Sequence, residues 1–400
     1  MLFRSSELVF VDLDAAALDK MVKAAKRIND EVGAGYKISG TTDRCEALPG
    51  ADFVITSIAI NRIALWKHDF AIPKKYGINH VLGENGGPGA VFHTMRNIPI
   101  MLDICRDIEK LCPDALLINF TNPESRICLA IKKYTKVKAV GLCHQIGEGI
   151  RIISKIMGKA PEEIDVKAMG LNHFTWMVDI RDKATGEDLY PLLREKEATY
   201  DPEFEKLSRY MFHKFGLFPT SGDGHLGEYV PYAHEMMSID GYDFEQDAKN
   251  RKEFNDLVEG LGNGTVELTD ELLSPSGENA FNIIKGIWCN TNSYIISANL
   301  PNKGYISNLP EDAIVEVPAF VSGNGITGIG MGELPSGIAA LCMTQIAVQN
   351  LVVDAGATGN KDLVIQALLA DPNVPSAKAA EGIYKELMEI NKPYLPQFKI

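Results

Sequence analysis

Three short polar clusters within one stretch of the sequence carry groups able to bind a metal ion or grip a small ligand. They are Asn119-Phe-Thr-Asn122-Pro123, Gly141-Leu-Cys143-His144-Gln145 and Gly170-Leu-Asn172-His173-Phe174. A thiolate and an imidazole facing one cavity are a workable pair of ligands for a divalent ion, which makes Cys143 and His173 candidate metal ligands. A fourth cluster, Pro219-Thr-Ser-Gly-Asp223-Gly-His225-Leu-Gly-Glu228-Tyr229, is polar, rich in glycine and carries four titratable side chains.

The first three clusters each follow an apolar run that reads as a buried strand: Ala115–Ile118, Val137–Leu142 and Val166–Leu171. In an open α/β sheet the carboxyl ends of parallel strands meet at a crevice where ligands bind. Asn122, Cys143 and His173 are therefore expected to converge. Upstream, the run Glu7–Asp12 reads as a strand, and Leu18, Met21, Val22, Ala25 and Ile28 lay an apolar stripe along a helix over about 16–31. Strands are expected near Tyr36–Ser39 and Phe53–Ile58. The span 64–95 reads as loop-rich, its centre being Gly83-Glu84-Asn85-Gly86-Gly87-Pro88-Gly89. Helices are expected at about 93–111, 124–134 and 147–157. Past His173 the strand–helix alternation fades. Helices are expected near 204–215, 245–261, 337–353 and 361–369, and strands over Phe174–Arg181, Ser293–Ala298, Gly304–Ser307 and Ala313–Pro318.

Asp12 sits where a dinucleotide-binding fold places the acidic residue that receives the adenosine ribose, at the end of the second strand. Ser57, at the end of the Phe53–Ile58 strand, is a second candidate for cofactor binding. An Asp at a strand end is also ordinary turn chemistry. No G-x-G-x-x-G precedes Asp12, so the expectation is a truncated chain that lacks roughly thirty residues of the first βαβ limb, as a misplaced start codon would produce. The fold class expected is α/β. A truncated Rossmann-like NAD-binding domain over 1–172 precedes an α+β domain of the lactate/malate dehydrogenase-like type over 173–400, which would carry substrate, metal and oligomer contacts.

The formal net charge of −13 comes with no compensating basic stripe, which argues against a nucleic-acid or anionic-membrane partner. Seven scattered cysteines without a C-x-x-C spacing suit a reducing, cytoplasmic setting better than a disulfide framework. Cys105, Cys112 and Cys128 read as small apolar residues in or near the core. No signal peptide is read at the start of the chain. The apolar span Gly337–Val353, interrupted by Thr344, Gln345, Gln349 and Asn350, is short for a membrane span of about twenty residues.

The segments Val9-Phe-Val-Asp-Leu-Asp14, Asn119–Pro123, Gly141–His144 and Gly170–Phe174 resemble those of glycoside hydrolase family 4, over nearly the whole chain. Asp69–Gly77 and Cys112–Asn119 are similar to the α-galactosidase and α-galacturonidase branch. Cys143-His144 stands where the phospho-glucosidase branch carries Cys-Asp. The resemblance implies hydrolysis of an O-glycosyl bond, in an α-galactoside or an α-galacturonide or glucuronide, by a redox route that departs from the usual two-carboxylate scheme. NAD+ oxidises the C3 hydroxyl, a base removes the acidified C2 proton, and the glycosidic bond is eliminated before water adds back. A divalent metal, usually Mn2+, acts as Lewis acid on O2 and O3. By resemblance Cys143 and His173 are the metal ligands, His144 the general acid, and Asn122 and Asn172 substrate-binding amides. His144 as a group that merely orients the thiolate, and Asn122 as a helix cap, stay open. Where the phospho-glucosidases use a tyrosine base, this chain offers His225, with Asp223, Glu228 and Tyr229 beside it. The resemblance also implies a small-molecule glycoside as partner and a homodimer or homotetramer. Two other readings are an NAD-dependent hydroxy-acid dehydrogenase and a catalytically dead fragment unable to bind NAD.

Overall fold

The computed structural model describes residues 6–238, 240–274 and 277–399. They form two compact units, each built from separate stretches of chain. The smaller comprises Met1–Val54, Arg106–Ala115 and Asp243–Gly277; the larger comprises Ile55–Cys105, Leu116–Tyr242 and Glu278–Ile400.

In the smaller unit β1 (Glu7–Val11) pairs in parallel with β2 (Lys37–Thr41), Glu7 opposite Lys37 and Val11 opposite Thr41. The helix Ala15–Glu31 connects them. Asp14 caps it by accepting from the amides of Ala16 and Ala17 at 2.9 and 3.1 Å, satisfying donors that a helix start leaves free. Ala24 meets the helix Phe244–Asn263, where it is buried together with Val258 and Leu261, while Leu18 and Val22 of the apolar stripe lie against Gly40 of β2. The Arg27 guanidinium donates to the carbonyls of Leu261 and Val266.

The larger unit is organised by one mixed sheet. Its strands are β3 (Phe53–Thr56, of which Ile55 and Thr56 belong to this unit), β4 (Leu116–Asn119), β5 (Lys138–Gly141), β6 (Ile164–Leu171), β7 (Phe174–Asp182), β8 (Phe218–Pro219), β9 (Ser293–Pro301), β10 (Ile314–Ser322) and β11 (Gly325–Gly328). The order is β3-β4-β5-β9-β10-β6-β7-β8, with β11 on β10. β4 and β5 are parallel and joined through the helix Glu124–Tyr134, as the apolar runs imply. From β5 onward the pairings are antiparallel. This corrects the expectation of three parallel strands: β6 runs straight back into β7, and His173 lies on a two-residue hairpin. An apolar run reports burial on both faces and is silent about strand direction.

Three further readings change. The span read as loop-rich contains the helix Arg62–Lys75, and the next helix, Gly87–Leu111, starts inside the glycine-rich segment. A Cβ on Gly89 would lie 2.6 Å from the carbonyl oxygens of Asp69 and of Gly83, so glycine there permits close packing. Gly304–Ser307 forms no strand; Ile306 makes one isolated bridge to Gly332. The helix Ala377–Asn391 adds to the core through Ala380, Ile383 and Leu387. At the centre of this packing the Arg96 guanidinium makes a fully buried fork–fork pair with Asp69, at 3.1 and 2.6 Å, and reaches Asn391 Oδ1 at 2.7 Å. The helix Ser336–Thr358 is long and apolar enough to cross a bilayer, yet half of its apolar window is buried inside the protein.

Candidate active site

The chemistry-bearing residues of the larger unit converge. The β6–β7 hairpin turns through Asn172 and His173, with His173 in the left-handed region at φ 60°, a conformation that costs a non-glycine residue about 1–2 kcal/mol. The turn after β5 presents Cys143, whose Sγ lies 3.3 Å from His173 Nε2. The loop after β8 is laid against the hairpin by hydrogen bonds from Thr220 N to Thr175 O at 2.9 Å and from Ser221 Oγ to His173 O at 2.8 Å. That brings the His225 ring onto the His173 ring, centroids 4.3 Å apart and the ring planes within 15° of parallel.

Sequence reasoning left four candidates for a base in this loop, and the structure separates their duties. Asp223 accepts from the amides of Leu207 and Ser208 at 3.0 and 2.8 Å, capping the helix Lys206–Phe215. Glu228, with no exposed side-chain surface, accepts from the amides of Glu84 and Asn85 at 2.6 and 2.7 Å and pairs with His225 Nδ1 at 3.0 Å. Tyr229 is buried and donates to the Asn172 carbonyl at 3.4 Å. His225 keeps an exposed edge, 39 % of its side chain being accessible, and Asp223, also partly exposed, is committed to the helix amides. Burial disfavours its charged form, but the hydrogen bond and charge of Glu228 outweigh that and hold the imidazole above its ordinary pKa.

His144 is exposed, with Nδ1 3.2 Å from Glu278 Oε1. Asn122 precedes Pro123 through a cis bond and is half-buried; Asn97 Nδ2 donates to its carbonyl at 2.8 Å. Pro123 occupies the cap position of the helix Glu124–Tyr134, and no side chain bonds there, which removes the capping role weighed for Asn122. Asn172 donates to Glu316 Oε2 at 3.3 Å. Glu316, fully buried on β10, also receives Gln145 Nε2 and Ser297 Oγ, and so ties the turn bearing Cys143 to the one bearing His173. Burial raises its pKa to about 7. Sequence reading missed Glu316, although a carboxylate inside the apolar run Ile314-Val-Glu-Val317 is itself a signal of a buried polar partner. Asp12 lies exposed at the carboxyl end of β1, in the smaller unit, and Ser57 lies exposed just past β3, in the larger.

The residues present suit a divalent metal ion. Burial, reinforced by Glu316, pushes the Cys143 thiol upward; burial, reinforced by His225 and His144, keeps His173 neutral. The pair thus stands as a thiol facing a neutral imidazole, and a dication would replace the proton between them. His173, His225 and Glu228 also offer ligand atoms within 4.8 Å of one another.

Comparison with known proteins places the chain in a family. Residues 2–158 match the family 4 glycosyl hydrolase model and residues 168–374 that of the family 4 glycosyl hydrolase C-terminal domain. The chain is 34% identical to an α-glucosidase of Erwinia rhapontici, covering 98% of this chain and 93% of that one. It is 30% identical to an α-galactosidase of Rhizobium meliloti, covering 99% and 84%. Its fold is similar to that of a 6-phospho-α-glucosidase from gut microorganisms solved with NAD and Mn2+: TM-score 0.85, 22% identity, 98% and 93% covered. The chain belongs to glycosyl hydrolase family 4. Its class is that of the glycoside hydrolases, and the hydroxy-acid dehydrogenase reading is not favoured.

Proposed function

We propose that this protein cleaves α-linked glycosides of a hexose or a hexuronic acid by NAD- and metal-dependent elimination. The observation that carries the reading is the 3.3 Å approach of Cys143 Sγ to His173 Nε2, with His225 stacked on the same imidazole. When bound, NAD supplies the hydride acceptor and the divalent ion, held by Cys143 and His173, the Lewis acid.

Asn122 and Asn172 hold sugar hydroxyls through their side-chain amides and so fix the ring over the two ligands. His225 has Nδ1 committed to Glu228, leaving Nε2 to take the C2 proton; Glu228 both orients the ring and strengthens it as a base. His144, steadied by Glu278 and open to solvent, donates the proton to the leaving oxygen. The α-glucosidase and α-galactosidase relatives support the α anomer.

A cytosolic location fits the free state of the seven cysteines. Assembly into a homodimer or homotetramer is supported by exposed apolar surface where Tyr294 faces Phe320 across β9 and β10, with Trp288 also exposed.

The test is a panel of nitrophenyl α- and β-glycosides and uronides with NAD+, Mn2+ and a reductant. Turnover of an α-glycoside is expected, abolished by a chelator and by Cys143→Ser. Turnover indifferent to both treatments refutes the metal role. Tight binding of NAD+ to this chain counts against the dead-fragment reading.

A further inference from the structure

Glu316 is a carboxylate buried in the middle of the sheet on neutral partners. Among the described residues its donors are Gln145 Nε2, Ser297 Oγ and Asn172 Nδ2, the last at 3.3 Å. Burying a carboxylate on such donors costs more than an apolar side chain of similar volume would. A purely structural role therefore leaves the choice of glutamate on β10 unexplained.

The sheet register shows what the residue is placed to do. Gly141 of β5 lies opposite Asn299 of β9, Asn299 opposite Glu316, and Glu316 opposite Gly170 of β6. One row across the sheet thus joins the strand that delivers Cys143 to the strand that delivers His173. Both ends of the row are glycine, and other groups fill the space. A Cβ on Gly141 would fall 1.3 Å from Glu124 Oε1, and one on Gly170 would fall 2.5 Å from the Phe174 carbonyl oxygen. From the centre of the row Glu316 reaches one side chain close to each ligand: Asn172 beside His173, and Gln145, two residues past Cys143. The Asn172 side chain and the Gln145 main-chain N–H in turn hydrogen-bond to Cys143, on which Glu316 also acts by charge. Groups that hold metal ligands from behind set their orientation and tune the grip.

We propose that Glu316 is the positioning residue of the metal grip. Through Gln145 and Asn172 it fixes the two turns so that Cys143 and His173 face one ion, and its negative charge stands behind the pair to favour a dication. The inference rests on the metal reading of Cys143 and His173 above and deepens it.

The test reads metal binding and geometry rather than turnover. Co2+ is titrated into wild type, Glu316→Gln, Glu316→Asp and Asp69→Asn, with the sulfur-to-cobalt charge-transfer band as the signal. Glu316→Gln keeps the side-chain volume but turns an NH2 toward donors, and should raise the Kd for Co2+ about 10–100-fold. Glu316→Asp keeps the charge one methylene short and should recover part of the loss. Asp69→Asn breaks a buried ion pair among the helices behind the site, and should lower the melting temperature while leaving the Kd unchanged. In the metal-free state, a crystal structure of Glu316→Gln should show the Cys143–His173 contact opened beyond the 3.3 Å of the wild type. If that variant does not fold, Gln145→Met, which removes one arm and keeps the carboxylate, takes its place in both measurements with a smaller expected change. Co2+ held as tightly by the variant as by the wild type, an equal loss in Asp69→Asn, or an unmoved contact in the metal-free variant overturns the proposal. A wild type that gives no cobalt band sinks the metal reading itself, and the metal-free structure then still decides whether Glu316 positions the pair.

Discussion

Glu228→Gln isolates the residue that sets the protonation of His225. In the wild type the carboxylate accepts two backbone amides at 2.6 and 2.7 Å and the His225 Nδ1–H at 3.0 Å, entirely out of water. Glutamine is nearly isosteric: its carbonyl can keep the amides, while its NH2 faces the imidazole. The loss is therefore the charge assistance, about 0.5–1.5 kcal/mol for each of three bonds, or roughly 1.5–4.5 kcal/mol together. The sign with pH follows from His225, whose folded pKa is raised by Glu228. A raised imidazole contributes stability that is fully present below the unfolded pKa of about 6.5 and is lost as pH rises through the folded value. The wild-type advantage in urea unfolding should thus be largest in acid and shrink toward alkaline pH. Catalysis should move the other way. The base is needed neutral, so removing the charge lets His225 lose its proton at lower pH, and the acid limb of kcat/KM against pH should shift downward. An acid limb that stays in place, or a stability difference that grows with pH, would refute the reasoning about this pair.

Asp69→Asn leaves the Arg96 guanidinium buried against a neutral amide. Breaking such a pair costs about 3–5 kcal/mol, visible as an earlier unfolding midpoint with little change in KM, since the pair lies among the helices behind the site. Glu205, which accepts the Asp223 amide at 2.7 Å, is raised to about 7 by burial and then by the Asp223 charge. The native state therefore binds the extra proton, and stability contributed at this position falls as pH climbs from about 4.5 to about 7. Glu205→Gln should remove that fall and stabilise the protein above neutrality by on the order of 1 kcal/mol after solvent screening; a pH–stability curve unchanged by the substitution would contradict this.

Much of the fold was legible because buried strands and amphipathic helices announce themselves. The runs Ala115–Ile118, Val137–Leu142 and Val166–Leu171 fall on the strands Leu116–Asn119, Lys138–Gly141 and Ile164–Leu171, and the helix Glu124–Tyr134 has the limits its pattern implies. The helix Arg62–Lys75 was not, because Leu65, Trp66, Phe70 and Ile72 are buried together with Asp69 and Pro73, which leaves no clean stripe and places a breaker near the end. Cys143 and His173 could be singled out by residue type, but not the hairpin that joins them. The partition among Asp223, His225, Glu228 and Tyr229 depends on contacts with Leu207, Glu84 and Asn172, which no local pattern encodes.

The most direct test of the account is spectroscopic. Co2+ titrated into the protein, with Mn2+ as competitor, should give a sulfur-to-cobalt charge-transfer band that disappears in Cys143→Ser and weakens strongly in His173→Ala, while both variants melt as the metal-free wild type does. A full-strength band in Cys143→Ser, or Co2+ binding indifferent to both substitutions, would contradict the assignment of this cysteine and histidine as the grip on the metal.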